Sequence, residues 1–63
     1  MSVNRRDIIR YFEKCGFFLK REGGNHSIYC NGKGISVAIG RHKIFHRVEA
    51  NRLCKEAGLP KAF

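Results

Sequence analysis

A histidine in a glycine-rich turn is the residue of this chain best suited to proton transfer. The segment from residue 23 to residue 29 reads GGNHSIY, so His26 follows Gly23, Gly24 and Asn25. Strand-like runs flank the two glycines, which is typical of a tight hairpin because glycine adopts positive φ at little cost. An imidazole near fixed cations suits phosphodiester chemistry, in which protons move and negative charge develops. The alternative interpretation is a polar hairpin end that carries a solvated histidine.

A turn centred on Gly23 and Gly24 also predicts which residues face each other across the hairpin. It sets Arg21 opposite His26, and the other residues of the two strands pair in the same register outward from the turn. Strand alternation puts His26 on the same face as Ile28, so we expect the imidazole at the rim of an apolar face. Partial burial and a facing guanidinium would both favour the neutral imidazole. The same position also suits a half-buried histidine that is bonded to a backbone group.

The chain carries a large positive charge. Thirteen Lys and Arg residues against five Asp and Glu residues give a formal net charge of +8. This balance indicates a polyanionic partner, and we expect a nucleic acid. A membrane surface is less suitable, because the apolar residues are divided among several elements rather than along one stripe. The residues expected to contact this partner are Lys20, Arg21, Gly24, Asn25, Lys33, Arg41, His42, Lys43, Arg47 and Arg52.

The residues that usually hold metals do not form a recognisable site in this sequence. Cys15, Cys30 and Cys54 are odd in number and lack the close spacing of zinc ligands. We interpret them as small buried residues of a cytoplasmic protein in a reducing compartment. The five acidic residues are scattered, which does not favour a magnesium site. The sequence therefore predicts no metal and no small-molecule cofactor.

Two amphipathic helices and three strands are expected to position these residues in one domain over residues 1–63. Apolar residues at i, i+3, i+4 and i+7 predict a first helix from about Arg5 to Cys15, ended by Gly16. The same spacing predicts a second helix from about His46 to Ala57. The strands are expected at residues 17–22, 25–30 and 35–39, and form an antiparallel meander.

The segment from Gly40 to Phe45 is interpreted as a basic connector. A helix N-terminus that follows basic residues is well placed to bind phosphates, although a solvated surface is the alternative for each side chain. Arg5 and Arg6 are interpreted as the solvated side of the first helix. No signal peptide and no membrane-spanning segment are expected. The connector and the start of the second helix carry Arg41, His42, Lys43, His46 and Arg47.

The order of elements and several short motifs resemble known families. Helix, three-strand meander, helix resembles the double-stranded RNA-binding domain, which implies an α+β fold with both helices on one face of a three-stranded antiparallel sheet. The residue pattern resembles the HicA toxin family, with a core of Gly24, Asn25 and His26 before an apolar strand. The similar segments are LKREGGNHSIY at 19–29, VAI at 37–39, Lys43, and RLCKEAGL at 52–59.

The HicA resemblance implies a type II toxin that cleaves mRNA and so inhibits translation, with His26 as its catalytic residue. It also implies a HicB-like antitoxin that covers this histidine. Two positions depart from the family pattern. Asn25 stands where members commonly carry serine, and residues 37–40 read VAIG where members often have a Val-Pro-x-His segment. His42 follows two residues after that segment.

Residues and resemblance together predict a metal-independent endoribonuclease. The 2′-hydroxyl of RNA is the nucleophile, and His26 takes its proton or gives one to the leaving oxygen, while Arg21 and nearby cations stabilise charge. The second proton carrier is open between water, His42 and His46. The alternative function is a non-catalytic RNA-binding module, which fold and charge support equally. A DNA-binding regulator is less favoured, because a sheet separates the two helices.

Overall fold

Two helices pack against one face of a meander sheet in the computed structural model, which describes residues 1–63. Strands β2, β3 and β4 form an antiparallel sheet in that order, and β1 pairs with β5 separately. The α+β architecture resembling a double-stranded RNA-binding domain is therefore confirmed. The elements in chain order are β1 (Ser2–Asn4), α1 (Arg5–Lys14), β2 (Phe18–Glu22), β3 (His26–Cys30), β4 (Ser36–Gly40), β5 (Ile44–His46) and α2 (Arg47–Glu56).

Helix α1 forms and ends as its sequence predicts. Ile8 and Phe12 lie one turn apart and are fully buried. Gly16 follows the helix with φ of +94°, a conformation that glycine adopts without steric cost. The Phe17 N–H then donates to the Phe12 carbonyl oxygen at 2.9 Å, the backbone bond that commonly closes a helix at such a glycine. This turn directs the chain into β2.

The core lies between the helices and the inner face of the β2–β3–β4 sheet. Cross-strand pairing aligns Tyr29 with Val37 and Ser27 with Ile39, and all four side chains are buried. Burial raises the pKa of the Tyr29 hydroxyl, and the positive charge of Arg5 opposes that shift. The helices contribute Ile8, Phe12, Ala50, Leu53 and Cys54 to the same cluster.

The hairpin between β2 and β3 turns one residue later than predicted. The Gly23 N–H donates to the His26 carbonyl oxygen at 2.8 Å, so Gly24 and Asn25 form the connection. Neither glycine of the pair has positive φ. A Cβ on Gly23 would lie 3.0 Å from the His26 carbonyl oxygen, so close approach of the two strands explains the glycine at this position.

The later turn changes the pairing of β2, and the predicted register is wrong. Arg21 pairs with Ile28 rather than with His26, and Glu22 pairs with Ser27. The register then shifts between Leu19 and Arg21. A β-bulge places two residues of one strand opposite one residue of its partner, which re-aims the side chains around it.

The predicted face of β3 is wrong as well. His26 and Ile28 lie on the outer face of the sheet, and His26 is exposed. Ser27 lies on the inner face and is only 2% exposed. The alternation of apolar residues misleads here because a buried polar residue, stabilised by hydrogen bonds, takes a position of the core face. The rim burial expected for His26 is therefore not observed.

The pair of strands β1 and β5 was not predicted. The register aligns Val3 with Phe45, whose ring is buried in the core. The Arg5 N–H donates to the Lys43 carbonyl oxygen at 2.8 Å and continues this link to the start of α1. Strands of three residues are too short to show a periodic pattern. The basic connector is consequently limited to Arg41, His42 and Lys43.

The cysteines are free thiols, and two of the three match the prediction. Cys30 and Cys54 are buried, and burial raises the pKa of the Cys54 thiol. Cys15 is exposed at the end of α1, which contradicts the expectation for that residue. Neither helix has the length and apolar character needed to span a membrane.

Candidate active site

His26 lies in an open cleft between the β2–β3 turn and the end of β4. As the first residue of β3, it pairs with Gly40, the last residue of β4. The β2–β3 turn and the connector that follows β4 therefore lie at the same end of the sheet. The cleft has a volume of about 350 Å³ and is lined by Gly24, Asn25, His26, Gly40, Arg41 and His42.

A second imidazole, that of His42, is positioned in the same cleft. A Cβ on Gly40 would lie 3.4 Å from Cδ2 of His42, which shows that this ring packs over the glycine. The ring also contacts Phe45 edge-on, with centroids 6.0 Å apart and an interplanar angle of 77°. Because Phe45 is a buried core residue, it gives the exposed imidazole a fixed support.

The third histidine has a different role. The Nδ1 atom of His46 accepts a hydrogen bond from the Val48 N–H at 3.1 Å and so caps the N-terminus of α2. His46 is not part of the lining of the His26 cleft. Of the two histidines considered as a second proton carrier, the structure brings only His42 into the cleft with His26.

Arg41 holds the hairpin that carries His26. Its Nη2 atom donates to the Gly23 carbonyl oxygen at 2.6 Å and lies 3.3 Å from Oε1 of Glu22. Both side chains of this ion pair remain substantially exposed, so it contributes little free energy by itself. Its importance is geometric, because it joins the connector to the turn that precedes His26.

Arg5 makes a second link, behind the cleft. Its Nε donates to the Gly40 carbonyl oxygen at 2.8 Å, and its Nη2 donates to Oγ of Ser27 at 2.9 Å. The Ser27 hydroxyl in turn donates to Oε1 of Glu22. The expectation that Arg5 is solvated is therefore wrong. Its side chain bridges α1 to the neighbour of His26 on β3 and to the partner of His26 on β4.

The residues expected to contact RNA fall into four areas. Arg41 and His42 line the cleft of His26 together with Gly24 and Asn25. Lys43 lies in an adjacent cleft of about 420 Å³, which is also lined by Asn4, Arg5, Arg6 and Arg41. Lys20 and Arg21 line a shallow hollow with Ile28 on β2 and β3. Arg47 and Arg52 lie on α2, and Lys33 lies in the β3–β4 turn, at the opposite end of β3 from His26.

Two of these assignments change in detail. Arg21 faces Ile28, so it does not hold the position opposite His26 that the sequence predicts. Arg41 occupies the neighbourhood of the imidazole instead. Arg52 is paired with Glu49 on the same helix at 3.7 Å, which offsets part of the charge of α2. No group of three or more His, Cys, Asp or Glu side chains is arranged to hold a metal ion.

The fold and the cleft define a small domain that resembles a double-stranded RNA-binding domain and carries histidines on a basic surface. A family model described as "HicA toxin of bacterial toxin-antitoxin" matches residues 5–59. This match spans most of the chain, which therefore belongs to the HicA toxin family. No curated protein and no solved structure gives a significant match. Family membership makes the chain a toxin of a toxin–antitoxin system, with a cognate antitoxin as its partner.

The Arg5 bridge can be tested against its neighbour on the same helix. Arg5→Ala removes charged hydrogen bonds to Gly40 and Ser27, and we expect it to lower the free energy of unfolding by about 1–3 kcal/mol. Arg6→Ala removes the same charge from an exposed side chain and should change stability by less than about 0.5 kcal/mol. Urea denaturation of both variants measures the difference. Equal losses of unfolding free energy in the two variants would show that the loss comes from the removed charge and not from the Arg5 hydrogen bonds.

Proposed function

We propose that this toxin is a metal-independent endoribonuclease that cleaves mRNA in the cytoplasm and so inhibits translation. The observation that carries the proposal is the pair of imidazoles, His26 and His42, that line one cleft on a basic surface. Histidine exchanges protons near neutral pH without a metal ion, and cations around the cleft suit a phosphodiester substrate. The cleft is open and polar, so an extended polymer can cross it.

The reaction needs two proton transfers, and the two histidines supply them. The 2′-oxygen of one nucleotide forms a bond to the adjacent phosphorus while the bond from phosphorus to the 5′-oxygen breaks. One imidazole takes the proton of the 2′-hydroxyl, and the other gives a proton to the leaving 5′-oxygen. The products are a 2′,3′-cyclic phosphate and a 5′-hydroxyl. General acid–base catalysis of this kind contributes about 10²–10⁴-fold each time.

Arg41 is the cation best placed to stabilise the negative charge that develops on the non-bridging phosphate oxygens. Both of its contacts within the chain use Nη2, and its other guanidinium nitrogens make no hydrogen bond to protein. The guanidinium is therefore held against the hairpin at a residue that lines the cleft, and its other N–H donors remain available to a phosphate group. Donors held in place before the reaction stabilise a transition state without the cost of reorganisation.

The first test of the proposal concerns His26. We expect His26→Ala to reduce RNA cleavage by about 10²-fold or more, and to leave RNA affinity almost unchanged because phosphate binding is spread over many cations. The melting temperature should stay close to that of the wild type, since the side chain is exposed. Cleavage by the wild type should persist in EDTA. Gel assays, calorimetry and filter binding on one preparation measure all three quantities.

His46→Ala is the matched control for this test. It removes an imidazole and the N-cap of α2 but nothing from the cleft, so we expect lower stability with near-normal cleavage. His42→Ala should behave like His26→Ala. If His26→Ala melts normally and still cleaves RNA at the wild-type rate, the catalytic role is wrong, and a non-catalytic RNA-binding toxin becomes the better interpretation.

We further propose that the cognate antitoxin is a HicB-like protein whose acidic surface covers the His26 cleft. The supporting observation is the adjacent basic cleft, where Arg6 and Lys43 are exposed and make no ion pair. Because the two clefts share Arg41, one acidic surface can neutralise both. Complementary charge of this kind speeds association and fixes the register of an interface.

Charge reversal on two different surfaces tests where the antitoxin binds. The double variant Arg6→Glu and Lys43→Glu should weaken the toxin–antitoxin complex by about tenfold or more, because it places like charges in contact. Lys55→Glu with Lys61→Glu makes the same change in net charge on the α2 surface and should have a much smaller effect. Titration calorimetry measures both affinities. An equal loss in the two variants would contradict the proposed location.

A further inference from the structure

The outer face of the β2–β3–β4 sheet is left uncovered by the helices. Strand pairing arranges its side chains in rows across the sheet. Phe18, Cys30 and Ser36 form the row farthest from the cleft, and His26 with Gly40 forms the nearest. The middle row contains Arg21, Ile28 and Ala38.

An aromatic side chain is exposed to solvent at the end of this face that lies farthest from the cleft. Phe18 is 53% exposed, although it is one of the largest apolar residues of the chain. The β4 residues that share the outer face are Ser36, Ala38 and Gly40, so the β4 side of this face carries no large side chain. An aromatic ring beside a flat apolar floor is a suitable stacking partner for a nucleobase.

Two cations lie along the path from Phe18 to His26. The β-bulge places Lys20 and Arg21 beside Ile28, and the three side chains line a hollow of about 270 Å³. Neither cation makes an ion pair within the chain. Stacking on aromatic side chains combined with backbone contacts to cations is how proteins bind single-stranded nucleic acid without sequence preference.

The outer face continues along β3 into the cleft. Phe18 pairs with Cys30, four residues along β3 from His26, which corresponds to about 13 Å in an extended strand. A strand of RNA laid along β3 therefore meets the imidazole, the two cations and the aromatic ring in succession. Bases stacked within a duplex are not free to lie on such a surface, because recognition of this kind uses unstacked bases.

We propose that the outer sheet face binds single-stranded RNA next to the scissile phosphate, with a base stacked on Phe18 and the backbone held by Lys20 and Arg21. This inference rests on the ribonuclease function proposed above, and it specifies unpaired RNA as the substrate. RNA is favoured over a protein occupant because the face presents an exposed ring for a base and unpaired cations for the phosphates, in succession along a strand that leads into the cleft.

The absence of tryptophan from the chain provides a direct probe. Phe18→Trp, made together with His26→Ala to prevent cleavage, places a single indole on the outer face. A single-stranded oligoribonucleotide should quench its fluorescence, and the matching duplex should not. Leu19→Trp is the matched control, because Leu19 is 46% exposed on the same strand but pairs with Tyr29, on the other side of the sheet. Its fluorescence should respond little.

Kinetics separates failure of this inference from failure of the proposed function. With His26 intact, Phe18→Ala should raise KM for single-stranded RNA by about tenfold, the loss expected for one stacked base. Leu19→Ala should leave KM unchanged. If the wild type cleaves RNA but Phe18→Ala changes nothing and the indole at position 18 is not quenched, the inference is wrong and the ribonuclease stands.

Two other results are equally decisive. If the wild type does not cleave RNA, the ribonuclease function is wrong. Quenching by single-stranded RNA, but not by the duplex, would then show whether the outer face still binds unpaired RNA. If the indole at position 18 responds to the antitoxin but not to RNA, the face belongs to the protein partner and the inference is overturned.

Discussion

The guanidinium of Arg5 is the constraint on which the arrangement of the cleft depends. It joins the first turn of α1 to the carbonyl oxygen of Gly40, which pairs with His26, and to the hydroxyl of Ser27, which follows His26 on β3. A half-buried charge is stable only where hydrogen bonds replace water. The Ser27 hydroxyl then bonds to Glu22, whose carboxylate meets Arg41. Helix, sheet, hairpin and connector are thus tied together within one polar network.

This network also decides which way the histidine points. Because Ser27 turns inward to meet Arg5, strand alternation sends His26 and Ile28 outward. The same alternation leaves Phe18 and Arg21 on the outer face through their pairing with β3. The inward position of the Ser27 hydroxyl therefore leaves the imidazole exposed to solvent. It also determines which side chains form the outer face next to the imidazole.

The sequence predicts those parts of the fold that depend on local pattern. Helix α1 follows from the spacing of Ile8 and Phe12, and the family resemblance follows from the motif around His26. The hairpin register could not be predicted, because Gly23 serves a close backbone contact rather than the turn itself. The face of β3 could not be predicted either, since Arg5, the partner that allows Ser27 to be buried, lies 22 residues away. The place of His42 depends on how the connector folds, because its ring packs over Gly40 and against the buried Phe45.

The small size of the chain explains why the cleft is open. A domain of about this length buries only about 60% of its unfolded surface, so it has one thin core and no material for an enclosed cavity or a closing lid. The cleft is instead formed by a turn and a connector at the edge of a sheet. Under the proposed ribonuclease function, an open cleft on a basic surface is accessible to any RNA that reaches it. A second protein that covers this surface would then inhibit the toxin without any closing element of its own, which agrees with a family in which the toxin is paired with an antitoxin.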